Sequence, residues 1–130
     1  MRTAIRILSD NDIGAVAVVD HDELVGVLSE RDVVRSLADG DDPGTTLVAT
    51  AMTARPRVVE TSSPLWAATM LMLHVGVRHL PATDGHHAVG MLSIRDALAV
   101  MERDRIIEPG SPMATVHDSP ESARPAGPTD

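Results

Sequence analysis

The chain of 130 residues has no cysteine, no phenylalanine, no tyrosine and one tryptophan, Trp66. Without cysteine there can be no disulfide, no thiolate zinc site and no cysteine nucleophile. Without rings the core must be built from Val, Leu, Ile, Ala and Met, and the stacking platforms that hold single-stranded nucleic acid are missing. Lysine is absent as well: all 11 cations are arginine, against 19 acidic residues, giving a net charge of −8. A surface of that sign repels phosphate backbones and argues against nucleic-acid binding. The longest apolar stretches, residues 15–19 and 65–73, fall far short of the roughly 18–20 residues that span a bilayer, so no membrane insertion is expected. The opening residues carry too short an apolar region for a secretory signal, with Asp10 and Asp12 close behind. A soluble cytoplasmic protein is expected.

What is present is a globular balance, 43% apolar and 23% charged, enough to bury a core in one compact domain or two very small fused ones. The chain also repeats itself. Residues 1–38 match residues 65–102 without a gap at an offset of 64, with eight identities. These are Ala4/Ala68, Asp20/Asp84, Val25/Val89, Gly26/Gly90, Leu28/Leu92, Ser29/Ser93, Arg31/Arg95 and Asp32/Asp96. Chance supplies about two or three. A repeat of this length marks a duplicated supersecondary unit.

Each unit reads the same way. Residues 2–10 and 64–74 are expected to be helical. Ser62-Ser63 offer caps and Pro64 a first helical residue for the second of these. Gly76 ends it, and Asp12, after Asn11, stands at the matching place in the first unit. Two apolar runs follow across a polar turn, 15–19 and 24–28 in the first unit, 79–83 and 88–92 in the second, which predicts a hairpin in each. A helix then starts near Ser29 and near Ser93. The connector 39–63 opens as a loop and then offers a lead-in strand over residues 50–59. The first unit has no such lead-in. The tail from Glu108 holds five of the nine prolines and reads as a disordered or extended arm.

The repeated window is Val25-Gly26-Val27-Leu28-Ser29-Glu30-Arg31-Asp32, returning as Val89-Gly90-Met91-Leu92-Ser93-Ile94-Arg95-Asp96. A capping box explains Ser and Asp three apart at a strand-to-helix junction without any ligand. The same geometry suits a nucleotide: a helix start offers N–H groups to phosphate, and a carboxylate can accept from both ribose hydroxyls.

This window, the Met52-Thr53-Ala54-Arg55-Pro56 lead-in and the strand Val77-Arg78-His79-Leu80-Pro81-Ala82-Thr83-Asp84 together resemble a tandem pair of cystathionine-β-synthase (CBS) domains, a Bateman module. The resemblance covers about residues 1–104. It implies an α/β (α+β) fold of two βαββα repeats packed through their sheets about a pseudo-twofold axis, the first repeat lacking its lead-in strand. Residues 1–39 would form the truncated first repeat, 40–47 a linker, 48–104 the second repeat and 105–130 a proline-rich acidic tail. It further implies a regulatory, non-catalytic module that binds an adenosine-containing ligand (AMP, ADP, ATP, S-adenosylmethionine or NAD(H)), forms a homodimer and modulates an enzyme or transporter in trans.

Carried over by position, Asp32 and Asp96 would hold ribose hydroxyls, and Ser29 and Ser93 would contact phosphate or ribose. Arg78 and His79 would face phosphate, while Thr53, Pro56, Arg57 and Val58 would line the adenine side. The positions matching Arg78 and His79 in the first unit are Gly14 and Ala15, which carry no charge. Each cleft is therefore expected to be half-equipped: the Asp32 cleft with the cations, the Asp96 cleft with the lead-in strand. A second chain or the segment Arg105-Ile106-Ile107-Glu108 is expected to supply the missing strand at an open sheet edge. The competing expectation is a ligand-free dimerisation module with degenerate clefts. His86 and His87 read as a surface turn with no converging metal ligands. Met70, Met72, Met91 and Met101 read as core fillers, and Trp66 as an edge-of-core or dimer-contact residue. No nucleophile-elbow pattern appears, so no catalytic residue is assigned.

Overall fold

The computed structural model describes residues 1–106 and 123–124. Each unit begins with a helix that packs on its own hairpin. In the first, α1 (Arg2–Asp10) buries Ala4 and Leu8. Asn11 ends it by donating Nδ2–H to the Ile7 carbonyl at 2.8 Å, and Asp12 turns the chain with φ 50°. In the second, α4 (Leu65–Val75) ends on Gly76 at φ 79°, in the left-handed region. At its start the expected serine cap is not formed. Pro64 itself is the N-cap residue, with no side-chain capping bond.

The hairpins superimpose residue for residue on the repeat. Strands β1 (Ala15–Asp20) and β2 (Glu23–Ser29) pair antiparallel, from Ala15 opposite Ser29 to Asp20 opposite Glu23. Strands β5 (His79–Asp84) and β6 (His87–Ser93) pair from His79 opposite Ser93 to Asp84 opposite His87. Their register shifts, between Val18 and Val19 and between Ala82 and Thr83, lie at equivalent positions. The first turn places His21 and Asp22 at φ 49° and 64°, the second Gly85 at φ 64°, the positive φ that tight hairpins require. The closing helices are α2 (Glu30–Ala38) and α5 (Ile94–Ile106).

Between the units, the expected strand over residues 50–59 is broken up. Val48–Ala51 form a short helix, α3; Thr53–Ala54 form β3 and Val59–Glu60 form β4. Arg55, at φ 49°, and Pro56, which has no backbone donor, separate the two strands. They go to different units. β3 pairs antiparallel with β2 of the first unit, whereas β4 runs parallel to β5 of the second. Glu60 fastens β4 to its hairpin by accepting from Thr83 Oγ1 at 3.2 Å and from the Gly85 N–H at 3.3 Å.

The sheet order is β1-β2-β6-β5-β4, with β3 on β2 and a final strand, β7 (Ala123–Arg124), on β6. Arg105 and Ile106, expected as a strand, belong to α5. Ile107, Glu108 and most of the tail lie outside the described residues. Alternation along the strands makes three cores. Val16, Val18 and Leu28 turn toward α1 and α2. Leu80, Ala82 and Leu92 turn toward α4 and α5. Ala15, Ala17 and Val27 meet Met91 between the units. Met72 and Met91 are fully buried, as expected, and Met101 is half-buried. Met70 is not a core filler: it is 58% exposed, one turn on from Trp66. No helix among the described residues is long and apolar enough to cross a membrane.

At Gly26 the first hairpin passes close to β3 and the residue before it. A Cβ there would run into Met52 Sδ and come within 3.0 Å of the Thr53 carbonyl oxygen. Gly26→Ala is expected to cost about 1–3 kcal/mol in urea unfolding. Combining it with Met52→Ala should be less than additive, because the second change removes the side chain that the first one strikes.

Candidate functional site

Two strand-to-helix corners carry the repeated motif. At the first, β2 ends on Ser29 and α2 begins. The Ser29 backbone N–H and Oγ–H each donate to Asp32 Oδ2 at 2.9 Å, and the Asp32 N–H donates back to Ser29 Oγ at 3.2 Å. This is a complete capping box. Asp32 is 8% exposed, and its Oδ1 lies 4.0 Å from Arg35 Nη1. The carboxylate is thus fixed in place, one oxygen engaged by Ser29 and the other turned toward a cation.

At the second corner, the Asp96 N–H donates to Ser93 Oγ at 3.0 Å. Ser93 is buried and Asp96 half-buried. Behind each corner one backbone bond ties the helix start to the first strand of the same unit. The Glu30 N–H donates to the Gly14 carbonyl at 3.0 Å and the Ile94 N–H to the Arg78 carbonyl at 2.8 Å. These four residues are again 64 apart in pairs.

The corners differ in what the other unit brings to them. His79, at the start of β5, reaches across to the first unit. A Cβ on Gly14 would lie 2.8 Å from both Cε1 and Nε2 of its ring and 3.5 Å from Glu30 Oε1. The imidazole therefore occupies space that any side chain at residue 14 would fill, beside the residue that follows Ser29. β3 reaches the same corner, Thr53 standing opposite Val27 two residues before Ser29. His79 thus lies on the Asp32 side, where the cations were expected, and the Thr53 end of the lead-in, expected on the Asp96 side, lies there too, because β3 crosses to the first unit.

Of the other expected site residues, Arg78, Thr53, Arg57 and Val58 are exposed and Pro56 is half-buried. Val58 immediately precedes β4, on the second unit's side. Sequence reasoning missed Gly14 and Glu30 as neighbours of His79. The signal was present in the alignment of Gly14 with Arg78, where the missing side chain means room rather than only missing charge. His86 and His87 are exposed on the second turn, His87 Nδ1 lying 3.3 Å from the Asp22 carbonyl oxygen. No group of three or more potential metal ligands converges among the described residues.

Comparison with known proteins places this geometry. A 33.4 kDa protein in a ribosomal RNA operon of Thermofilum pendens is 31% identical over 124 residues, covering 92% of this chain and 40% of that protein. The chain spans less than half the length of the first curated relatives it matches. A protein with CBS domains from Burkholderia ambifaria has a solved structure that superposes with a TM-score of 0.74 at 34% identity, covering 80% of this chain and 77% of that one. A CBS domain protein from Pyrobaculum aerophilum, solved in complex with AMP, superposes with a TM-score of 0.67 at 26% identity, covering 72% and 73%. The CBS domain family model matches residues 1–39 and again 48–103. With both hairpin-and-helix units matched in tandem, the chain belongs to the CBS domain family.

Proposed function

We propose that the chain is a regulatory module that binds an adenosine-containing ligand and passes that state to a partner protein, an enzyme or transporter held in trans, without catalysis of its own. The observation that carries this reading is the placing of the His79 ring against Gly14, beside the Ser29–Asp32 corner. A fixed, nearly buried carboxylate suits paired ribose hydroxyls. The imidazole and the exposed Arg78 guanidinium suit a phosphate arriving from the opposite unit. Thr53 supplies the adenine side at that corner through backbone contact, since no ring is available there, while Pro56, Arg57 and Val58 carry the lead-in on toward the second unit's corner. AMP is the ligand seen with the Pyrobaculum relative and is the first to test. ADP, ATP, S-adenosylmethionine and NAD(H) share its adenosine moiety.

The two corners are unequal in this reading. The Ser93–Asp96 corner is matched in the first unit by Gly14 and Ala15, and neither side chain can pair with phosphate. The Asp32 corner is therefore the principal site. A ligand there bridges the units and favours the relative orientation it binds more tightly, which is how the state reaches a partner.

Exposed apolar residues favour a second element, a homodimer. On α4, Trp66, Met70 and Leu73 lie at helical spacing and are 59%, 58% and 63% exposed, opposite the buried face formed by Leu65, Ala68 and Met72. A helix apolar on both faces is one with a partner on each.

Three outcomes test these statements. In a thermal-shift or calorimetric titration, AMP at a hundredfold excess over Kd should stabilise the protein by about 2.7 kcal/mol. Asp32→Ala should abolish that shift, over and above the ~1 kcal/mol that loss of the cap costs with no ligand present, whereas Asp96→Ala should leave most of it. A shift that survives Asp32→Ala intact overturns the assignment.

Arg78→Ala and His79→Ala should each weaken AMP by about tenfold, the worth of one charge-assisted hydrogen bond, while leaving adenosine binding nearly unchanged. Equal losses for both ligands would remove the phosphate role.

Sedimentation should show a dimer that Trp66→Glu with Leu73→Glu converts to a folded monomer. A monomeric parent protein would exclude the dimer.

A further inference from the structure

The edge of β6 has an occupant that the repeat explains. In the first unit, β2 is flanked by β1 on one side and by β3 on the other, with Gly26 opposite Ala54 and Val27 opposite Thr53. In the second unit, β6 is flanked by β5 and by β7, with Met91 opposite Arg124 and Leu92 opposite Ala123. Met91 and Leu92 are the images of Val27 and Leu28 at the 64-residue offset. β7 thus runs antiparallel along the edge where the image of β3 falls.

The sequence makes the same correspondence independently. Ser122-Ala123-Arg124-Pro125 repeats Thr53-Ala54-Arg55-Pro56 with serine for threonine as its only change. A strict image would set Ala123 opposite Gly90; it stands opposite Leu92. The displacement is two residues, which keeps every position on the same face of the sheet. Among the described residues, β7 is the strand that covers this edge of β6, and a sheet edge is a template for pairing.

We propose that the β6 edge is a strand-acceptor site, and that its occupant is this chain's own second copy of the lead-in motif, the segment around Ala123–Arg124, bound in cis. The segment stands just before the Ser93–Asp96 corner, as β3 stands just before the Ser29–Asp32 corner. It completes the pseudo-twofold arrangement from the far end of the chain. The sixteen residues between Ile106 and Ala123 reach up to about 50 Å when extended, ample for the crossing. A two-residue ladder is marginal alone, so the strand is a latch that opens at little cost, while its tether keeps it at high effective concentration.

Hydrogen exchange on the full chain tests this without any ligand and so independently of nucleotide binding. The amide of Ala123 or Arg124, whichever faces β6, and that of its partner, Leu92 or Met91, should be protected. The double variant Ala123→Pro/Arg124→Pro removes both β7 donors, whichever pair exchanges the bonds. It should speed exchange at Met91 or Leu92 by about tenfold while leaving α1 and α2 unchanged. Ser122→Thr, which makes the two motifs identical, should retain full protection. The protection should also survive about a hundredfold dilution, as an intramolecular contact does. Unprotected amides at Ala123 and Arg124, no response to the prolines, or protection that fades on dilution and so belongs to a second copy would each overturn the proposal.

Discussion

The fold depends on how closely the two units approach. Between them lie Ala15, Ala17 and Val27 from one side and Met91 from the other. Strands β2 and β6 touch at Glu23 opposite His87. Small side chains at a seam allow backbones to close up, and one flexible thioether then fills what space remains. The same economy operates at the corner itself. Gly14 has no side chain, and the space beside it holds the His79 ring. A larger residue at Ala15, Ala17 or Gly14 would hold the units apart, and His79 would no longer reach the Ser29–Asp32 corner. The seam therefore sets the distance over which one unit can contribute to the other's corner.

The Ser–Asp corner is at once a cap and a candidate ligand site, and the two uses draw on different atoms. Capping engages Asp32 Oδ2 through the Ser29 backbone and hydroxyl, which fixes the carboxylate before any ligand arrives. Oδ1 is not needed by the cap and lies 4.0 Å from Arg35 Nη1. A carboxylate so placed loses little freedom when it accepts from a hydroxyl, the sense in which a preorganised group binds better than a mobile one. In the proposed reading the cap prepares this carboxylate for a ligand and does not compete with one.

Much of this was legible in the sequence. The offset of 64 located both hairpins and both corners, and the two register shifts lie 64 residues apart as well, because a duplicated pattern of turn residues and alternating apolar positions dictates the same local structure twice. Gly76 and Asp12 stand where left-handed backbone was expected. What stayed hidden was decided by tertiary pairing. Two-residue strands have no periodicity to read, so nothing in Thr53–Ala54 says that it leaves its own unit for β2, and its four-residue echo at Ser122-Ala123-Arg124-Pro125 is too short to announce a strand until the pairing of β7 is seen. Met70 was misplaced for a related reason: α4 is apolar all round, so its sequence does not say which face is inside.

The crossing of β3 also accounts for the inequality of the two corners. A duplicated fold begins with two equal sites, and equality survives only if each unit donates and receives the same parts. Here the first corner receives β3 and His79 from the second unit. At the image of His79 the second corner has only the buried methyl of Ala15, and its flanking strand is β7, from beyond the repeat. One corner is built from within the duplicated region and the other is closed by a segment outside it. Such a division lets the second corner change without disturbing the first, because the strand that flanks it lies outside the duplicated region.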